Sequence, residues 1–340
     1  MKRRLSFRLA GFSLLMLGAL VAACMHQIPA APVEAAPAEE GQTRLVLLGT
    51  AGGPIVRTKR SQPAALLVVN RHAYLVDAGD GTAHRLAEAG YSAGDISLVF
   101  LTHLHLDHTA GLAALMAFHW AQQAPGVMQI YGPPGTAPLV AGALEFLSPG
   151  EELFASLLPQ APSMASISEA HEIMPLADGP VYEDENVRVF AVENTHYAII
   201  PEALRTAHNW KSYAYRFETP DRVVVFTGDT GESQAVTDLA RGADILVSEV
   251  LNIDAQMEQL HRTLPGLSDE QMQPLIEHMT RQHLSPEQVG LMANEAGVKT
   301  VVLTHISPGL DSETDMGIYA AGVREHFSGR VIVGRDLGVY

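Results

Sequence analysis

The chain has 340 residues, 47% of them apolar and 18% charged, an ordinary balance for a globular enzyme and enough for one large α/β domain or two small ones. Its 38 acidic against 22 basic side chains give a formal charge of −16, which opposes broad binding to a phosphate backbone. A single cysteine excludes an intramolecular disulfide, so stability must come from the core and from any bound metal.

The chain opens with Lys2, Arg3, Arg4 and Arg8 and no acid, then an apolar stretch from Leu9 to Ala23 that is too short for a comfortable membrane span. This pattern predicts an export signal peptide over residues 1–23. The stretch ends Leu20-Val21-Ala22-Ala23-Cys24, which resembles a lipoprotein box. Membrane anchoring through a lipidated Cys24 is therefore one expectation, and plain secretion after Ala23 the other. Either way the protein is expected outside the cytoplasm, in the periplasm or as an outer-membrane lipoprotein. Without the signal, 18 basic residues face 38 acidic ones, a charge of −20. Residues 24–42, rich in Ala, Pro and Glu, predict a flexible tether, and the catalytic domain is expected over 43–340.

Within the domain, apolar and β-branched runs predict strands over Arg44–Leu48, Ala65–Val69 and Ala73–Val76, the last two joined by a tight hairpin at Asn70-Arg71. Gly49-Thr50-Ala51-Gly52-Gly53-Pro54 is a glycine-rich loop that lacks the Gly-Lys-Ser/Thr of a nucleotide P-loop. A helix is predicted over Thr82–Ala89, a strand over Ser97–Leu101, a helix over Gly111–Gln122, a strand over Val127–Tyr131 and a helix over Ala137–Phe146. Leu147 to Gly179 reads as irregular. Strands follow over Val187–Val192, Tyr213–Phe217, Val223–Phe226, Ile245–Ser248 and Thr300–Leu303, and helices over Gln234–Arg241, Asp269–Gln282 and Pro286–Ala296. Val331–Val333 reads as an edge strand. Tyr197 to Lys211 and Leu251 to Glu277 have mixed spacing and are site lids or surface helices. The halves share an element order, which predicts an α/β fold built as a four-layer αββα sandwich with helices outside two facing sheets.

Residues 102–108 read Thr-His-Leu-His-Leu-Asp-His, placing His103, His105, Asp107 and His108 within six residues at the mouth of the apolar strand. Alternate residues of an extended segment point the same way, so His103 and His105 can reach one metal, while Asp107 and His108, past the turn, can reach a second. Imidazole and carboxylate donors suit zinc, with iron or manganese as other candidates.

The cluster resembles the HxHxDH motif of the metallo-β-lactamase-fold hydrolases. That family needs three further residues, and each has a match here in the right order. Glu193-Asn194-Thr195-His196 follows one strand, Thr227-Gly228-Asp229 another, and Thr304-His305 a third. The resemblance implies His103, His105 and His196 on one metal, Asp107, His108 and His305 on the other, and Asp229 bridging two Zn²⁺. In the RNase Z-like branch, a His followed two residues later by Ser or Thr helps the leaving oxygen, which matches His283-Leu284-Ser285. The alternative for this segment is helix capping by Ser285. A Glu in those relatives contacts the same His, which matches Glu249. Asp77 and Asp80 are candidates to orient a ligand histidine, with helix or turn capping as the alternative for Asp80. His208, His278, Lys211 and Arg216 are weaker candidates for pocket residues.

These features predict a two-metal hydrolase that uses a metal-bridging hydroxide, with Asp107, Asp229 and His283 catalytic and a small phosphodiester or sulfate ester as substrate. Nucleic acid is not expected as a partner. A tRNA 3′-processing endonuclease of the RNase Z kind is disfavoured on three grounds: no Gly- and Lys-rich arm between His196 and Asp229, strong acidity, and export away from tRNA precursors. A β-lactamase or lactonase is a further alternative, although such sites usually lack the bridging Asp229. A metal-stabilised binding lipoprotein without turnover is the alternative from outside enzymology.

Overall fold

The computed structural model describes residues 41–157, 159–175 and 179–340. The expected signal segment, Cys24 and the tether up to residue 40 lie outside the described residues. Among the described residues, fourteen strands form two sheets of seven. The first sheet takes β1 (Thr43–Gly49), β2 (Ala64–Val69), β3 (His72–Val76), β4 (Leu98–Phe100), β5 (Met128–Gly132) and β6 (Ser168–Glu172). The second takes β7 (Tyr182–Glu183), β8 (Arg188–Glu193), β9 (Tyr213–Glu218), β10 (Val223–Phe226), β11 (Ile245–Leu251), β12 (Thr300–Ser307) and β13 (Arg330–Val333). The chain then returns to the first sheet, where β14 (Gly338–Val339) pairs with β1.

Period-two alternation sorts the side chains into layers. Leu45 and Leu47 of β1, Leu67 and Val69 of β2, and Val224 and Phe226 of β10 meet in one cluster between the sheets. Their neighbours point the other way. Val46, Leu48, Leu66 and Val68 pack under the helices Thr82–Glu88 and Leu112–Ala121, while Val225 and Leu246 pack under Pro286–Ala296 and Gly317–His326. Three apolar layers between four structural ones make the αββα sandwich. Phe100 sits in the middle layer with no exposed surface, stacked on Tyr131 at 5.3 Å and edge-on to Phe217 at 5.3 Å. Phe100→Ala should cost about 3–5 kcal/mol in a guanidinium melt, the usual toll of an aromatic cavity; a change below about 1 kcal/mol would mean that the two sheets close over the gap.

Two local features repay attention to the backbone. Asn70 and Arg71 both adopt positive φ, 47° and 71°, between strands paired through Val69 and His72, so the predicted hairpin is a two-residue turn of the primed kind. The helix expected to stop at Phe146 instead runs from Thr136 to Ala155, straight through Pro149. Proline cannot bond to the carbonyl four residues back, that of Glu145, and the Ser148 hydroxyl donates to that oxygen at 3.0 Å instead. Within the other segments that read as irregular lie helices Glu202–His208 and Ile253–Thr263 and strand β6.

The strands β3 to β6 run parallel, as do β10 to β13. Their carboxyl ends therefore gather along one edge of the sandwich, where chain leaving β3, β4, β10 and β12 can converge.

Candidate metal centre

The chain leaves β4 through Leu101 and Thr102 and stays extended to His105, which caps a single helical turn, Leu106–Thr109. His103, Asp107 and His108 are all buried. His196 follows β8, Asp229 follows β10, and His305 lies within β12. His305 has φ 41° and occupies a register shift, with Glu249 opposite Thr304 and Val250 opposite Ile306. This bulge turns one residue of a buried strand out of its normal alternation and aims its imidazole at the site.

The seven residues form two overlapping groups. His103, His105, His196 and Asp229 can each offer a donor atom within 4.8 Å of the others, and so can Asp107, His108, Asp229 and His305. Asp229 belongs to both. Its Oδ2 lies 3.8 Å from His103 Nε2, 3.9 Å from His196 Nε2 and 3.1 Å from His305 Nε2, while its Oδ1 lies 3.4 Å from His108 Nε2. Asp107 Oδ2 closes the second group, 3.6 Å from His108 Nε2 and 3.4 Å from His305 Nε2.

Hydrogen bonds on the far ring nitrogens decide which atoms point inward. His108 Nδ1 donates to Asp77 Oδ2 at 2.8 Å. His103 Nδ1 meets the Thr102 hydroxyl at 3.1 Å, and that hydroxyl donates to Asp77 in turn. His196 Nδ1 donates to the Gln282 carbonyl at 3.0 Å. Asp77 thus holds two imidazoles, one directly and one through Thr102. The exposed Asp80 stands away from them, and its backbone N–H donates to Gln62.

The inner atoms fit a divalent cation. His103 Nε2, His108 Nε2 and Asp229 Oδ1 are buried and have no hydrogen-bond partner. Buried polar atoms without partners are costly, and these three, one imidazole from each group and the carboxylate common to both, call for cations. Burial holds the pKa values of His103 and His196 well below the usual value, whereas against burial the Asp229 carboxylate raises those of His108 and His305, whose protons a cation would have to displace. Burial would raise the Asp229 carboxyl, yet His305 and His108 outweigh it and hold it well below the ordinary range.

The glycine-rich loop packs against this group. A Cβ on Gly53 would fall 1.9 Å from Asp107 Oδ2, and one on Gly52 would fall 2.8 Å from Ser307 Oγ. Gly53→Ala is therefore expected to displace the Asp107 carboxylate and lower both bound metal and turnover by about 10-fold or more. Metal counting on the purified variant checks it, and full occupancy with normal rates would show that the loop yields instead.

Beyond the seven lies a dyad. Glu249 Oε2 accepts from His283 Nδ1 at 2.7 Å, and Glu249 Oε1 accepts from the Thr230 amide at 2.6 Å. The His283 ring stacks on His305 at 5.7 Å and 12°. Burial opposes its cation, but the Glu249 carboxylate outweighs burial and raises the His283 pKa. Ser285 separately caps Pro286–Ala296 with a full capping box, so the two readings of this segment fall on different residues. Lys211 pairs with Glu193 and Arg216 with Glu218, and neither lines the centre. His208 stacks on Trp210 instead. Three contributors carried no strong signal in the sequence. Tyr197 packs 5.4 Å from the His105 ring and 5.3 Å from His196, Gln282 holds His196, and His278 lies 6.0 Å from His196 and 5.3 Å from His283. Their common mark is position, each within five residues of a site histidine.

The family described as "Beta-lactamase superfamily domain" matches residues 72–306. Ribonuclease Z of Mycobacterium bovis (strain BCG / Pasteur 1173P2) is 31% identical over 297 residues, covering 86% of this chain and 96% of the relative. Ribonuclease Z of Mycobacterium avium (strain 104) is 32% identical over 298 residues, with the same coverage. Among solved structures, the metallo-beta-lactamase fold protein YhfI from Bacillus subtilis superposes with a TM-score of 0.61 at 19% identity, over 88% of this chain and 98% of its own. The short form of human tRNase Z gives 0.59 at 22%, over 87% and 98%.

These likenesses overturn two expectations, the small phosphodiester or sulfate ester substrate and the exclusion of nucleic acid. The physical error lay in the premises. A formal charge is a sum over the whole chain, whereas phosphate binding depends on the local potential of one surface. The arm argument does not decide the matter either, since the likeness to the mycobacterial relative spans 96% of that protein.

Proposed function

The chain belongs to the beta-lactamase superfamily and, within it, to the ribonuclease Z-like branch of metal-dependent hydrolases, and we propose that the ester it hydrolyses is an RNA phosphodiester near the 3′ end of a tRNA precursor. The observation that carries this reading is the near full-length likeness to curated ribonucleases Z. The convergence of all seven donor residues supports it, since the hydrolytic centre those proteins' fold requires can be assembled here.

His103, His105, His196 and Asp229 would hold one metal, and Asp107, His108, Asp229 and His305 the other. Bound there, two divalent ions, zinc by the donor set with iron or manganese also suited, supply Lewis-acid charge to a phosphoryl oxygen and acidify water. The protein does the rest. Asp77, Thr102 and Gln282 fix ring orientation, so the donors are in place before substrate arrives. Glu249 accepts from His283 Nδ1 and so favours the imidazolium, whose other proton, on Nε2, can pass to the departing ribose oxygen.

Purified protein loaded with zinc should cut a tRNA precursor bearing a 3′ trailer once, near the base of the acceptor stem. Turnover of bis-p-nitrophenyl phosphate with the precursor left intact would overturn the reading. The N-terminal pattern over residues 1–23 supports export, which would part the enzyme from cytoplasmic tRNA precursors, so localisation bears on this reading as well. In fractionated cells the full chain should stay with membranes while Cys24→Ser is released; membrane association unchanged in that variant would rule out a lipid anchor.

A further inference from the structure

The helix Asp269–Gln282 brings one more imidazole to the centre, and neither the donor set nor the dyad uses it. His278 is half-buried, 5.3 Å from the His283 ring and 6.0 Å from the His196 ring. Its Nδ1 is already engaged, by the Gln282 side-chain Oε1 one turn along the same helix. An amide oxygen can only accept, so Nδ1 carries the proton and Nε2 presents a lone pair. No described residue donates a hydrogen bond to that Nε2. Gln282 is itself pinned, since it is 3% exposed and its main-chain carbonyl accepts from His196 Nδ1 at 3.0 Å. One residue thus fixes both a donor imidazole of the metal centre and the tautomer of His278. The result is a preset hydrogen-bond acceptor beside the imidazole that faces the leaving oxygen.

An acceptor has nothing to bind on a phosphate, whose oxygens also only accept. What it can bind next to a leaving oxygen is a hydroxyl. In RNA, the oxygen that leaves when the P–O3′ bond is cut has a vicinal 2′-hydroxyl, the group that separates RNA from DNA at a given site. We propose that His278 Nε2 accepts a hydrogen bond from the 2′-hydroxyl of the ribose whose 3′-oxygen departs, making His278 the sugar-reading residue of this centre. His283 and His278 would then address adjacent oxygens of one sugar, and the 5.3 Å between their rings suits two neighbouring hydrogen bonds. This inference rests on the RNA-cleaving reading above.

A substitution cycle tests it on the zinc-loaded full chain. Two precursors are compared, one all-ribose and one with a single 2′-deoxy nucleotide just 5′ to the cleavage site. The unaltered enzyme should lose about tenfold in kcat/KM on the deoxy substrate, the scale of one lost hydrogen bond. His278→Ala should lose about the same on the all-ribose substrate and show no further deoxy penalty. His278→Gln, whose amide oxygen can reach the place of Nε2, should recover part of both rate and sugar preference. A penalty that persists undiminished in His278→Ala would assign the residue a merely structural role and overturn the proposal. So would a wild-type enzyme indifferent to the deoxy nucleotide. Failure of the unaltered enzyme to cut either RNA is a different result, because it removes the RNA-cleaving reading itself and this inference with it.

Discussion

Asp229→Ala is expected to lose most of its bound metal and on the order of 10³-fold or more in activity, a greater loss than removing an outer hydrogen bond to a metal ligand causes. The reason is geometric. Asp229 has an oxygen within 4 Å of a ring nitrogen of His103, His108, His196 and His305, and no other described residue belongs to both donor groups. Without it, four buried imidazoles face one another with Asp107 as the carboxylate left at the inward Nε2 atoms of His108 and His305. His305, held up to about 10 against burial chiefly by Asp229, would lose its main counter-charge. The remaining donors could still bind one ion weakly, but not the pair. Metal content after gel filtration, together with initial rates on precursor RNA, decides the matter. Asp229→Asn keeps the shape and removes the charge, which guards against misfolding as the explanation. Full metal and wild-type rates in either variant would end the two-metal account.

Much of this centre was legible because it lies where the chain must change direction. His103 to His108 follow a strand too apolar to be anything but buried, and ligand-type residues have little other reason to crowd there. The hairpin at Asn70-Arg71 and the period-two alternation of β1 and β2 are likewise local, so sequence spacing reports them directly. The misreadings share a different cause. Ser148-Pro149-Gly150 reads as a helix stop because proline lacks a donor, and only the neighbouring hydroxyl of Ser148 shows how the helix survives it. Asp77 and Asp80 look equivalent in sequence, yet only Asp77 lies where two imidazoles can reach it, a fact set by the pairing of β3 with β4. His278 is one histidine among fifteen, and its significance depends on the side chain of Gln282 and on a fold that brings the helix over His196. The substrate is hidden from the sequence for the same reason: whole-chain charge does not report the potential at one site.

The dyad of Glu249 and His283 yields the second large effect, and it separates chemistry from scaffolding. His283→Ala should keep its metals, since all seven donors remain, yet slow RNA cleavage by about 10²–10⁴-fold, the range of a positioned acid. The loss should depend on the leaving group. A ribose oxygen departs as a strongly basic alkoxide unless a proton reaches it during bond breaking, whereas nitrophenolate is stable without one. Bis-p-nitrophenyl phosphate should therefore lose far less rate in this variant than precursor RNA does. Glu249→Gln should share the pattern in weaker form, because it leaves the imidazole in place but removes the carboxylate 2.7 Å away that favours its proton. Equal losses on both substrates would mean that His283 supports the fold of the centre, most directly through its stacking on His305, rather than supplying a proton. Loss of metal from His283→Ala would point the same way. A steep dependence on the leaving group with full metal content leaves proton delivery as the remaining account, because stacking on His305 acts on both substrates alike and only the proton distinguishes them.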